Sequence, residues 1–310
     1  MQLYVGITDN DWFRQLRNAN AFEVNFWSPG TASFSALNQN EMFLFKLHAP
    51  ENYIVGGGFF VSYSKLPSFL AWEAFGEMNG VKSLDELNKR IYKYRSRNSI
   101  SDVNPEIGCR ILTDCFWFDE DDWIPVPEGW SKSIVQGKRY YDTDPVGLKL
   151  FNDVQERLQK SEYANSQKDS SGAAEAKEGY IITPTKHRLG QGAFRVRVTD
   201  AYQRRCAITG EKTLPVLEAA HIRAFSKEGP NSVDNGILLK SDFHTLFDKG
   251  YITITPNYTV EVSDRLHEDY GNGKDYYKYN GHQLIVLPNS QAQKPDIEYL
   301  QWHNENVYVG

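Results

Sequence analysis

An α+β protein in two parts is what the sequence predicts, on three observations. The chain has 310 residues, more than one ordinary hydrophobic core organises. Segments with the period of strands are interleaved with segments of helical period on both sides of the chain's midpoint. Over residues 160–179 the sequence turns to Ser, Ala, Gly, Lys and Glu with almost no apolar periodicity, too little burial to offset its own ordering entropy. The expected division is a first domain over 1–158, a flexible linker over 159–179 and a second domain over 180–310.

In the first part, residues 3–7 read as a strand. Thr8 or Asp9 then caps a helix to about Arg17. Residues 42–48 and 53–63 are aromatic-rich and β-branched around a short Pro-Glu-Asn turn, which predicts a hairpin. The glycines at 56–58 weaken a strand interior, so they mark a bulge or a close approach by another backbone or a ligand. Pro67 starts a helix to about Glu77, and Ser83-Leu84-Asp85-Glu86 is a capping box opening a helix to about Arg95. A strand follows at 107–118 and a helix at 145–160, giving a small, curved sheet with helices around it. In the second part, 193–206 reads as a helix and 216–222 with 235–240 as a strand pair. A short helix at 242–249 has Ser241 as N-cap and Gly250 as its stop, and a hairpin over 251–263 turns at Pro256-Asn257.

Composition narrows the setting: 40% hydrophobic, 24% charged and 14% aromatic residues are those of a globular protein with ample stacking surface. No apolar run approaches the roughly 20 residues of a membrane helix. The N-terminus has no basic segment followed by an apolar one, so no signal peptide is expected. Three cysteines, Cys109, Cys115 and Cys206, without a C-x-x-C pair argue for a reduced, cytoplasmic setting and against a cysteine zinc site. A net charge of −6 requires any nucleic-acid contact to rest on a local patch. Residues 186–205 supply one, with Lys186, Arg188, Arg195, Arg197, Arg204 and Arg205 against Asp200 alone. Arg195 and Arg197 are the expected phosphate contacts on that helix. The acidic run from Asp119 to Asp122 reads as a solvated turn and is assigned no role.

The chemistry concentrates in 206–254. His244 and Asp248 stand four apart on the short helix, so both project from one face and make half of a divalent-metal site. His221 lies on the upstream strand, and Asn235-Gly236 closes the loop between the two. A strand His, a loop Asn and a helical His with a carboxylate one turn on, in that order and spacing, resemble the HNH (ββα-metal) endonucleases over roughly fifty residues. Phosphodiester hydrolysis needs an activated water and charge stabilisation on the phosphate and the leaving 3′ oxygen. A neutral His poised near pH 7 suits the base, which we assign to His221. His244 and Asp248 would hold one divalent ion, Mg, Mn, Co, Ni or Zn. The resemblance implies that Asn235 fixes the loop that aligns the base strand. Many HNH nucleases carry a second metal ligand just before the base. Here that position is Ala220; either Glu218, on the same strand face by the period-two rule, supplies the missing carboxylate, or water fills the gap, and in both cases the metal is held weakly.

Residues 1–150 resemble the EVE-like branch of the PUA superfamily. The resemblance rests on FWSPG (26–30), the FLFKL…NYIVGGGFF hairpin, LAWEAFGEMNG (70–80) and IGC…FWFDEDDWIP (107–125). It implies a small β-barrel with peripheral helices that reads an extruded modified base in an aromatic pocket, with Trp27, Phe34 and Trp72 as candidate walls. Such a reader joined to an HNH nuclease looks like a restriction endonuclease that cuts double-stranded DNA bearing 5-methylcytosine or 5-hydroxymethylcytosine. One HNH site cuts one strand, so a double-strand break implies a homodimer. The alternatives are an HNH nuclease indifferent to modification, acting in repair or as a toxin, and a DNA-binding protein whose nuclease fold is degenerate at Ala220.

Overall fold

The structure, a computed structural model, describes residues 1–95, 103–169 and 189–310. They fall into two units, Met1–Arg188 and Leu189–Gly310. The first comprises β1 (Gln2–Thr8), α1 (Asn10–Asn18), β2 (Val24–Ser28), β3 (Met42–Leu47), β4 (Tyr53–Pro67), α2 (Ser68–Phe75), α3 (Leu84–Tyr94), β5 (Glu106–Trp117), β6 (Ile124–Pro125), β7 (Gly137–Tyr141) and α4 (Pro145–Asp169). The sheet runs β2-β5-β4-β3-β1-β7, with β6 paired to the start of β4. Its pairs are antiparallel except β1 with β3.

Alternation at period two loads both faces of this sheet. Leu3, Val5, Met42 and Leu44 point to one side and pack with Leu150, Val154 and Leu158, which recur every fourth residue on α4. Phe43, Phe45 and Leu47 point to the other and pack with Trp12, Phe13 and Leu16 of α1. Asp9 caps α1 by accepting from the Asp11 N–H, and Ser83 caps α3 through the Glu86 N–H. The glycines of β4 sit where its pairing shifts register against β3 and β5. At Gly56 the reason is contact and conformation together: φ is +156°, and a Cβ there would stand 2.3 Å from the Phe116 carbonyl oxygen.

Two expectations change. The barrel implied for this domain is not what is observed. Among the described residues the end strands β2 and β7 do not pair with each other, and the sheet stays open. The physical reason is that helices cover both faces, so the apolar surface is buried without closure. The stretch expected as linker from 159 is helical as far as Asp169, because α4 runs on without a stop; 170–179 lies outside the described residues.

The second unit comprises α5 (Gln191–Ala201), β8 (Leu217–His221), β9 (Gly236–Lys240), α6 (Ser241–Asp248), β10 (Ile252–Ile254), β11 (Val260–Val262), α7 (Arg265–Tyr270), α8 (Lys274–Tyr277) and α9 (Ile297–Asn306). β8 and β9 form an antiparallel ribbon that sets Glu218 opposite Leu239 and His221 opposite Gly236, and α6 follows β9 without a loop. Gly236 is required here by proximity, since a Cβ would meet Val198 of α5 at 2.4 Å. Ser241 is the first residue of α6 rather than its cap, and no side chain caps the helix. The buried Phe243 and Phe247 anchor it instead. No helix among the described residues is long and apolar enough to cross a membrane.

Candidate active site

The ribbon and α6 bring the sequence-predicted residues of the second unit together. His244, on the second turn of α6, is flanked on both ring nitrogens. Its Nδ1 lies 2.6 Å from Glu218 Oε2 on β8, and its Nε2 lies 3.2 Å from Asp248 Oδ2, one helical turn on. Burial pulls the imidazole pKa down, but hydrogen bonds to Asp248 and Glu218 outweigh it and hold the pKa above the ordinary value. The spacing of Nε2 and Oδ2 suits neighbouring positions around one cation. Two donors at about 2.1 Å and a right angle stand about 3 Å apart. Among the described residues no three His, Cys, Asp or Glu side chains are grouped to hold an ion by themselves. The donor set therefore fits a hard divalent cation that keeps waters or phosphate oxygens in its shell.

Glu218, the substitute ligand the sequence suggests, meets the His244 ring at Nδ1, on the edge opposite Asp248 at Nε2. Ala220, where a second ligand is usual in HNH nucleases, is fully buried in the core.

His221 ends β8. Its ring stacks on Phe194 of α5 at 3.9 Å and 10°. Its Nε2 is 2.9 Å from Asn231 Oδ1, and the Asn231 amide is oriented by donating Nδ2–H to the Leu189 carbonyl. An acceptor at Nε2 means that nitrogen carries the proton, which leaves the lone pair on Nδ1. Burial draws the His221 pKa below the ordinary value, against the raising effects of the Asn231 hydrogen bond and the Asp248 charge. His221 is thus neutral at pH 7 and within electrostatic reach of Asp248 and His244.

Asn235 is fully buried, and its side chain ties the loop after β8. Its Oδ1 accepts from the Arg223 N–H at 2.9 Å, and its Nδ2 donates to the carbonyls of Arg223 at 3.0 Å and Pro230 at 2.9 Å. The loop that supplies Asn231 to His221 is thereby closed on itself. Arg195 and Arg197 lie on α5, the helix that carries Phe194. Arg197 is half-buried, and burial lowers its pKa against the pull of Asp234. Lys186 and Arg188 lie outside the described residues.

In the first unit a cavity of about 380 Å³ opens beside β1, β2 and α1. Trp27 lines it, with its indole N–H donated to the Asn79 carbonyl at 3.0 Å. Phe34 is one layer behind, edge-on to the lining residue Tyr4 at 5.1 Å. Trp72 is on α2 and is not among the residues that line the cavity, which corrects its place in the expected pocket: α2 packs on the sheet elsewhere, and sequence proximity to other aromatics does not put a ring at the opening.

The sequence reading missed Asn231, Phe194 and the cavity's Trp12, Tyr94 and Arg110. Asn231 carried a usable signal, a second amide in the loop between His221 and Asn235. The others are long-range partners with no local pattern.

Residues 206–255 match the family model of the HNH endonucleases, a span that holds Glu218, His221, Asn235, His244 and Asp248. This part of the chain is an HNH endonuclease domain. No curated protein matches the sequence. Among solved structures, a chain described as a modification-dependent TagI restriction endonuclease is similar at 13% identity with a TM-score of 0.27. That similarity covers 86% of this chain and 61% of that one. The chain thus spans about three fifths of the length of that protein.

Proposed function

We propose that the chain is a modification-dependent restriction endonuclease acting in the cytoplasm on double-stranded DNA with 5-methylcytosine or 5-hydroxymethylcytosine. In this reading residues 1–158 are an EVE-like reader of the PUA superfamily, 159–179 a linker and 180–310 the HNH nuclease, acting as a homodimer. The observation that carries the hydrolytic part is a neutral His221 held beside the Glu218–His244–Asp248 row. His221 Nδ1 takes a proton from the attacking water while Nε2–H stays on Asn231, which keeps the ring in line. His244 and Asp248 would hold a divalent ion, which would supply charge stabilisation at the scissile phosphate and the leaving 3′ oxygen. Glu218 keeps Nε2 of His244 turned to that ion, and Asn235 keeps the loop shut around the base. Arg195 and Arg197 meet backbone phosphates from α5, a role supported by that helix packing Phe194 on His221.

The reader part is supported by an aromatic cavity in the first unit large enough for a small ligand. Matched plasmids carrying 5-methylcytosine, 5-hydroxymethylcytosine or unmodified cytosine, each with Mg²⁺ or Mn²⁺, test both halves. Cleavage confined to modified DNA and at least about 100-fold slower in His221→Ala is expected. Equal cleavage of all three substrates would leave an HNH nuclease without a reader, and binding without nicking under every metal would leave a DNA-binding protein.

A further inference from the structure

One buried charge in the first unit has no countercharge. Arg110 of β5 is only 8% exposed, yet among the described residues no carboxylate pairs with it and its Nε has no hydrogen-bond partner. The strand register sets it between Phe26 of β2 and Tyr63 of β4, and its guanidinium lies 4.8 Å from the Phe34 ring. It borders the 380 Å³ cavity, whose walls include Tyr4, Trp12, Phe26 and Trp27. The cavity's other arginine, Arg90, is neutralised by Glu86 at 2.8 Å. Asp9 also lines the cavity. It accepts from the Asp11 N–H at 2.9 Å and the Tyr94 hydroxyl at 3.0 Å, which outweigh burial and hold its carboxyl ionised.

A buried guanidinium left unpaired destabilises the fold that holds it, so its place at a cavity implies a ligand that satisfies it. Aromatic walls suit a flat ring. A guanidinium fork suits two adjacent acceptors, and an ionised carboxylate suits an N–H donor. Cytosine has this edge, with O2 and N3 side by side and the exocyclic amine next to them. Thymine turns a donor N–H toward the fork and has no amine to offer the carboxylate.

We propose that Arg110 sets base specificity: its guanidinium donates to O2 and N3 of a cytosine swung out of the duplex, while Asp9 accepts from the exocyclic amine. This rests on the reader role proposed above and adds that the base's pairing edge is read, not its 5-substituent alone. Thymine and 5-methylcytosine carry the same 5-methyl group and differ only on that edge, so they form the test. Fluorescence anisotropy of the full chain in EDTA, where no cleavage occurs, compares duplexes with 5-methylcytosine·G, cytosine·G or thymine·G at one site. Wild type should bind the 5-methylcytosine duplex roughly 10- to 100-fold tighter than the thymine duplex, the range of one good bidentate edge contact. Arg110→Met should erase that preference. It should also melt no lower than wild type, because it removes an unpaired buried charge. Arg110→Lys, which keeps the charge without the fork, should lose most of the preference.

Wild type that prefers 5-methylcytosine to cytosine yet binds the thymine duplex equally well overturns the edge-reading role and spares the reader. So does Arg110→Met that keeps the preference. Wild type that treats 5-methylcytosine and cytosine alike removes the reader itself, and the role of Arg110 with it. Should Arg110→Met not fold, the thymine comparison in wild type and the Arg110→Lys variant still decide.

Discussion

His221, the proposed base, is set by partners from outside its strand: Asn231 fixes which nitrogen holds the proton, and Phe194 fixes the plane of the ring. Because burial holds its pKa low, the neutral form that accepts a proton persists into mildly acidic solution. The sign follows: cleavage falls as pH drops through the lowered pKa, so the acid limb of the kcat profile has its midpoint below about 6.5, the ordinary histidine value. A midpoint above that value would move the base elsewhere. His221→Ala should lose roughly 100- to 10,000-fold in cleavage rate and keep DNA binding. Glu218 gives a second prediction at this scale. As an orienting carboxylate on Nδ1, its change to Gln should weaken Mn²⁺ binding about 10- to 100-fold by calorimetry without abolishing it. Asp248→Ala, which removes a proposed direct ligand, should abolish it. Equal losses in the two variants would return Glu218 to the ligand set. His221, His244 and Asp248 were legible in sequence because helix and strand periods convert spacing into facing. Glu218 was legible as a participant but not in its placement, since period two says which face it shares and nothing about which ring nitrogen it meets.

The elements hold this site through α6, and α6 is held by a histidine the sequence did not flag. His303 of α9 is 2% exposed and stacks on Phe247 at 3.8 Å. Its Nε2–H donates to the Phe247 carbonyl at 3.1 Å, and its Nδ1 therefore accepts from the Thr253 hydroxyl at 2.8 Å. That pattern is complete only for the neutral ring. Burial lowers its pKa to about 4, against the Phe247 hydrogen bond and the Asp248 charge. A histidine depressed in the folded state contributes stability that is fully present above the unfolded pKa near 6.5 and is lost as pH falls toward 4. The loss amounts to ~3 kcal/mol. Urea unfolding of the full chain at pH 7.5 and pH 4.5, in wild type and His303→Phe, reads this as a difference. The variant should be less stable at pH 7.5, with a distinctly smaller fall on acidification. Parallel falls in the two proteins would refute the linkage. The ribbon and α6 themselves were legible to within a residue or two. The cap was not, because Ser241 has the right side chain for one while the strand runs directly into the helix and leaves no extended residue before it other than Lys240.

At the scale of the molecule, the chain falls into two units, Met1–Arg188 with the sheet and Leu189–Gly310 with the HNH match. The openness of the sheet was not legible, because alternation along a strand records which faces are buried and not which edges pair. The proposed function assigns one base, His221, to each chain, so one site would cut one strand and a double-strand break would need two. If a double-strand break comes from a homodimer, cleavage should respond to mixing with inactive subunits. Wild type and His221→Ala are combined in equal amounts, left to exchange and given modified supercoiled plasmid. Dimers with two active sites should then make up about one quarter of the population, by random pairing of identical interfaces. Linear product formed in one encounter should fall to that share, while nicked product should rise at early times because half of all dimers cut a single strand. A monomer that cuts the strands in separate encounters gives a different result: both products simply track the concentration of wild type, and nicked plasmid never accumulates beyond the undiluted reaction. Separating linear from nicked plasmid on a gel over time distinguishes the two, and the second pattern would remove the dimer from the proposal while leaving the chemistry at His221 untouched.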